Sequence, residues 1–192
     1  MTENIRDLTL LIVEDQLLIS RYLSSEISSS FPSLRIQTAR NGQDAYQKIR
    51  NEGLRPDIMI TDVQMPTMGG DQFLEKLVQD GTQIPTIVMS SELDNENSAR
   101  AVYYSHRMYT PKQIGILQLQ QHIQPSVNEQ ITYTNQQMEK YRTDYIRARR
   151  ERRVLNIKDY LGFTAIQKPI DENDILERIR IIQRRLYENN QQ

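Results

Sequence analysis

Asp57-Ile58-Met59-Ile60-Thr61-Asp62-Val63-Gln64-Met65-Pro66 is the stretch that decides how this chain reads. A short apolar run, rich in β-branched residues, ends in a carboxylate and is followed by a proline-containing turn. This predicts a buried strand that delivers Asp62 to its carboxyl end. In open α/β sheets, ligand and reaction sites gather outside such strand ends. Taken alone, Asp62 reads equally well as the start of a turn, and its partners elsewhere in the chain decide between the two.

Upstream, Leu8 to Val13 is nearly all apolar, as a strand covered on both faces should be, and it ends in Glu14-Asp15. A helix follows with Ile19, Leu23 and Ile27 on one face, closing in Ser28-Ser29-Ser30 before Pro32. Leu34 to Thr38 alternates, which suits an edge strand. Asn41-Gly42 opens a second helix carrying Ala45 and Ile49, which stops near Gly53. Downstream of Asp62, Gly69-Gly70 predicts a flexible turn, and Phe73, Leu74 and Leu77 mark the core face of a third helix. Thr86 to Met89 is another continuous apolar strand, ending in Ser90-Ser91-Glu92. Strands and helices thus alternate, and right-handed crossovers with helices on both faces imply a doubly wound parallel sheet. A fifth strand, Phe163 to Gln167, ends in Lys168-Pro169. Asp171 is expected to cap a final helix with the stripe Ile175, Ile179 and Ile182, and Arg184-Arg185 near its end would face the helix dipole.

The totals bound the rest. A chain of 192 residues holds one domain, or one domain with an addition. Lys and Arg number 24 against 25 Asp and Glu, so no global field points to nucleic acid. Cysteine is absent, which excludes a disulfide framework and thiol chemistry. No apolar stretch is long enough to span a bilayer and no signal core follows the start, so a soluble cytoplasmic protein is expected.

Between Ser91 and Gly162 lie residues 92–161, where a βαβ crossover needs only about a dozen or slightly more. Glycine is nearly absent there, Gln, Arg and Tyr are abundant, and Pro111 and Pro125 divide the segment into helices. Val127, Ile131, Thr134, Met138, Tyr141, Tyr145, Ala148, Arg152 and Leu155 recur at alternating four- and three-residue steps, the seam of a coiled coil. Helical from Ser126 to Leu161, this rod would run roughly 54 Å. It would pack on itself, on a second copy, or on a partner. Between Met138 and Arg153 stand seven basic and three acidic side chains, a local +4 in a chain of −1. Three readings follow: a solvated helix face with pairs such as Glu151 with Arg147, a surface for an acidic protein partner, and, weakest, a phosphate-backbone contact with nucleic acid. The candidate partner surface is Tyr141, Tyr145, Arg149, Arg150 and Arg153, with the tyrosines read as seam packing. His106 and His122 are isolated and read as surface residues.

The predicted strand ends collect Glu14 and Asp15, then Asp62, Ser90 and Lys168. Three carboxylates brought together repel one another, and a divalent cation resolves the conflict. Mg²⁺ suits the set, being a hard ion held by one or two carboxylates, water and phosphate oxygens. With a lysine to spread developing charge and a hydroxyl donor, this is equipment for phosphoryl transfer to a carboxylate.

These residues resemble the receiver domain of two-component response regulators, the flavodoxin-like family of chemotaxis-type regulators. The matching pieces are Ile12-Val13-Glu14-Asp15, Thr61-Asp62 with Met65-Pro66, Ser90-Ser91, and Lys168-Pro169. The resemblance implies a five-stranded parallel sheet of order 2-1-3-4-5 with an α-helical arm inserted in the fourth-helix region. The expected organisation is a receiver over 1–92 and 162–192, interrupted by a helical insertion over 93–161. By the same resemblance, Asp62 accepts phosphate from a sensor histidine kinase or phosphotransfer protein. Asp15, Asp62 and the backbone carbonyl of Gln64 bind Mg²⁺ directly, and Glu14 acts through water. Ser90 hydrogen-bonds the phosphoryl group, Lys168 pairs with it, and Lys168–Pro169 is a cis bond. Gln64 and Glu92 tune how fast water removes the phosphate, and Ser91 belongs to the same switching loop. One departure bears on switching: the family's usual Phe or Tyr, three residues before the lysine, is Ala165 here, with Phe163 two residues earlier. The chain therefore reads as a signalling switch rather than an enzyme, with output to a protein partner or a homodimer through the insertion and no membrane association. The alternatives are a pseudo-receiver scaffold acting constitutively through the insertion, and a nucleic-acid-binding regulator using Arg147 to Arg153.

Overall fold

The computed structural model describes residues 8–91, 95–108, 140, 143–151, 165–167 and 172–189. Five strands, β1 (Thr9–Val13), β2 (Arg35–Ala39), β3 (Ile58–Asp62), β4 (Thr86–Ser90) and β5 (Ala165–Gln167), form one sheet. Its order is β2-β1-β3-β4-β5, and every adjacent pair is parallel. The helices are α1 (Leu17–Ser30), α2 (Gly42–Arg50), α3 (Gly70–Gln79), α4 (Glu96–Arg107) and α5 (Glu172–Asn189). A further helical segment covers 143–150.

β1, β3 and β4 are buried along their whole length, whereas β2, at the edge, is largely open to water. The composition follows burial: inner strands covered on both faces are continuous apolar runs, and the half-wet edge carries Arg35, Gln37 and Thr38. Leu10, Leu11, Ile12, Ile58, Met59, Ile60, Ile87 and Met89 are buried in the middle of one core. α1 lies beside α5, while α2, α3 and α4 pack in succession, so helices cover the sheet in two layers. Asp57 starts the β1–β3 pairing from both sides, its amide donating to the Thr9 carbonyl at 2.8 Å and its carboxylate accepting from the Thr9 amide at 2.9 Å.

α2 starts where Asn41 caps it, the side chain accepting from the Asp44 amide at 2.9 Å. Gly69-Gly70 is no flexible turn. Gly70 opens α3, where a Cβ would collide with the backbone carbonyl of Asp62, and a Cβ on Gly69 would stand 2.8 Å from the Val63 carbonyl. The pair is small because two backbones meet there. A second expectation also changes: α5 continues to Asn189 and carries no basic residue in its last turn, so Arg184-Arg185 stand too early to face the helix dipole.

The span 93–161 begins with a helix of the common core. α4 packs against α3 and β4, with Ala101 and Met108 buried in the same cluster as the sheet. Of the heptad positions, Tyr145 and Ala148 are described, and both are buried. The Tyr145 ring stacks on Tyr103 of α4, centroids 4.8 Å apart and planes 19° apart. Within the described residues, then, the seam faces this chain's own fourth helix. Arg147 pairs with Asp144 within this segment at 3.8 Å. Arg149 and Arg150 are exposed, as is Ile146. Asp171, His122, Tyr133, Tyr141, Arg153, Phe163 and the remainder of the predicted rod lie outside the described residues.

Candidate functional site

Parallel strands all present their carboxyl ends on one edge, and that edge gathers the polar residues. Val13 ends β1 and pairs with Thr61, so Glu14 and Asp15 emerge beside the end of β3. Asp62 is the last residue of β3 and is paired with Met89, one residue before Ser90. One carboxylate oxygen from each of Glu14, Asp15 and Asp62 lies within 4.8 Å of the other two. Glu14 and Asp62 are buried, at 2% and 3% exposure, and Asp15 is exposed. Such a set, two carboxylates withdrawn from water and one open to it, is the donor chemistry of a hard divalent cation with a solvent-facing side. The residues fit Mg²⁺.

The loops around this cluster are held by short backbone bonds. The Glu14 amide donates to Ala39 at 3.0 Å, and the Glu14 carboxylate accepts from the Gln16 amide at 3.2 Å. After β3, the Val63 amide donates to Met89 at 3.1 Å and the Gly70 amide to Val63 at 3.0 Å. Between them the Met68 amide donates to the Pro66 carbonyl at 2.8 Å around Thr67, whose φ is +70°. That is a tight γ-turn in the strained hand, in a residue with a branched side chain. Backbone strain beside a cluster of reactive groups is where such conformations concentrate.

Ser90 closes β4, buried, with its hydroxyl 2.8 Å from the hydroxyl of Ser98 in the first turn of α4. Ser91 donates from its hydroxyl to the Gln64 side-chain oxygen at 3.1 Å, joining the loops after β3 and β4. In β5, Gln167 is paired with Ser90. Lys168 and Glu92 lie outside the described residues, as does the Lys168–Pro169 bond. Ala165 stands in β5 opposite Val88.

α4 is fastened to α3 by two further contacts. The Arg100 guanidinium donates to the buried Asp71 carboxylate, and the Tyr104 hydroxyl donates to Glu75 at 2.6 Å. Burial would lower the affinity of Arg100 for its proton, but the hydrogen bond and charge of Asp71 more than offset this. Burial, reinforced by the Glu75 hydrogen bond, pushes the Tyr104 hydroxyl well above the usual phenol range. Sequence reasoning missed Ser98, Asp71 and Arg100. The only local signal was Asn95, which caps α4 by accepting from the Ser98 amide at 2.8 Å. That marks a helix start but says nothing about which strand the helix touches.

The sequence pattern of the response regulator receiver domain matches residues 10–124. The chain belongs to that family. This receiver is 32% identical over 117 residues to a protein-glutamate methylesterase/protein-glutamine glutaminase of Geobacillus kaustophilus, covering 59% of this chain and 32% of the relative. It is 35% identical over 104 residues to the Regulator of RpoS of Escherichia coli, covering 53% of this chain and 29% of that protein. The receiver thus spans about a third of the length of these curated relatives. Among solved structures, the signal receiver domain of an HD domain-containing protein from Pseudomonas fluorescens superposes with a TM-score of 0.59, at 15% identity over 95% of this chain and 99% of that one. Two-component signalling is the setting in which receivers of this family act. Among the described residues, no helix is long and apolar enough to cross a membrane.

Proposed function

We propose that this receiver is a phosphoaccepting switch in which Asp62 takes a phosphoryl group from the phosphohistidine of a sensor kinase or phosphotransfer protein. The observation that carries the reading is the convergence of Glu14, Asp15 and buried Asp62 within 4.8 Å at the carboxyl edge of the sheet. An Asp62 oxygen attacks phosphorus in line. The P–O bond forms as the P–N bond breaks, and the departing imidazole nitrogen keeps the bonding electron pair. Asp15, Asp62 and the Gln64 carbonyl are the residues assigned to hold Mg²⁺, with Glu14 acting through water. When bound, the cation neutralises charge on the transferring oxygens. Ser90 donates its hydroxyl to a phosphoryl oxygen, and Lys168, the residue after β5, supplies the opposing positive charge. Gln64, Ser91 and Glu92 govern access of water to the acyl phosphate.

In this reading the chain carries no turnover chemistry beyond gaining and losing its own phosphate. The methylesterase and glutaminase activities named for its relatives are not assigned to it. Output runs through residues 93–161, to a protein partner or a second copy, with Tyr141, Arg149, Arg150 and Arg153 as the candidate surface; Tyr145, expected to belong to it, is instead buried against Tyr103. With Ala165 in place of the family's aromatic, the signal leaves the site by the β4–α4 side.

The test is intact mass after incubation with Mg²⁺ and acetyl phosphate. A single phosphate adduct is expected on the unmutated chain, none on Asp62→Asn, and none when a chelator removes the metal. The absence of any adduct on the unmutated chain across several conditions overturns the reading.

A further inference from the structure

We propose that Ser98 is a positioning residue that links the phosphoacceptor site to α4, and through α4 to the helical segment 143–150. The inference rests on the phosphoacceptor reading above and deepens it by naming the path of the signal. Its basis is geometric. The Ser90 and Ser98 hydroxyls are 2.8 Å apart, and both residues are buried, at 1% and 0% exposure. Ser98 is doubly committed, its amide donating to the Asn95 cap at 2.8 Å and its side chain facing Ser90. The start of α4 is therefore tied to the end of β4 by a hydroxyl pair shielded from water, where a hydrogen bond is strong and a lost partner is penalised.

A phosphoryl group on Asp62 offers Ser90 a charged acceptor, a stronger partner than a neutral hydroxyl. As Ser90 turns toward it, Ser98 either follows or is released, and in both cases the first turn of α4 changes position. The middle of α4 is held to α3 by Arg100 with Asp71 and by Tyr104 with Glu75, so movement at the start tilts the helix about those ties. Tyr103 lies in the same stretch. Its ring is edge-on to Tyr104 at 5.2 Å and stacked on Tyr145 at 4.8 Å. A stack at that separation tolerates little tilt, so the segment 143–150, with its exposed Arg149 and Arg150, is loosened from α4. A pair of serines and a pair of tyrosines thus do the work for which the Ala165 position lacks an aromatic ring.

The experiment uses the full chain with Mg²⁺ and beryllofluoride. Fluorine NMR reads binding, and hydrogen exchange by mass spectrometry reads amides 143–150. Exchange there is expected to rise about tenfold on binding. Ser98→Ala should bind beryllofluoride yet lose that rise, and Ser98→Thr should restore it. Bound beryllofluoride with unchanged exchange at 143–150 in the unmutated chain overturns the coupling alone, as does a full response in Ser98→Ala. If Ser98→Ala does not fold, the unmutated chain alone decides. No bound beryllofluoride overturns the phosphoacceptor reading and the coupling with it.

Discussion

Gly70 shows how tightly single residues are constrained beside the cluster. Any side chain there meets the carbonyl oxygen of Asp62, so Gly70→Ala must push α3 away from β3. A loss of about 3 kcal/mol is expected, read as a lower urea midpoint at unchanged slope. Arg100 illustrates the opposite hazard. Asp71 is 2% exposed, and its carboxylate is paired with the Arg100 guanidinium. Arg100→Met leaves a buried charge without its cation, which should cost roughly 3 kcal/mol, whereas Arg100→Met with Asp71→Leu should recover most of that loss. A double-mutant cycle in urea measures the difference. Equal losses in the single and double variants would refute the pairing argument.

Between elements, α2 is joined to α3 by a surface staple that should respond to pH. The Tyr46 hydroxyl donates to Asp80 at 2.7 Å, and Arg50 reaches the same carboxylate at 2.8 Å. The Tyr46 hydrogen bond, with Arg50, holds the Asp80 carboxyl below its usual 3.8. The same bond raises Tyr46 above 10.0. A depressed carboxyl contributes stability above its unfolded value and loses it as pH falls through the folded one. A raised phenol contributes below its unfolded value and loses it as pH rises through the folded one. The stability difference between the unmutated chain and Tyr46→Phe should therefore be flat from pH 5 to pH 9 and shrink on both sides, in thermal melts across pH. α2 also offers a simpler check: Asn41→Ala removes the acceptor for the Asp44 amide and should cost about 1 kcal/mol.

At the scale of the molecule, charge and packing separate on the helical segment 143–150. Tyr145 and Ala148 turn inward, while Ile146, Arg147, Arg149 and Arg150 turn outward. Arg149→Glu with Arg150→Glu should leave folding stability within about 0.5 kcal/mol, because neither side chain is buried. The same double variant should abolish any association that weakens with salt, since clustered exposed charge acts through screened fields. Sedimentation of both proteins with and without beryllofluoride reads stability of assembly against charge. A stability loss well beyond that range would mean the arginines face inward, contrary to the arrangement described.

The residues by themselves determined the alternation of strands and helices, which strands are buried, and which carboxylates emerge at strand ends. Those features follow from apolar runs and caps only a few residues long, in which the period of burial is written into neighbouring positions. Asp62 was legible because a buried β-branched run must end somewhere, and it ends there. Contacts between elements were decided only by the tertiary structure. Ser98 meets Ser90 across a loop, Gly70 touches the Asp62 backbone, and Tyr145 stacks on Tyr103. A heptad pattern specifies an apolar stripe but not its partner, and a serine's hydrogen bond depends on which helix lands on which strand. Those choices are made by packing the whole sheet at once, so no stretch of sequence short enough to read locally contains them.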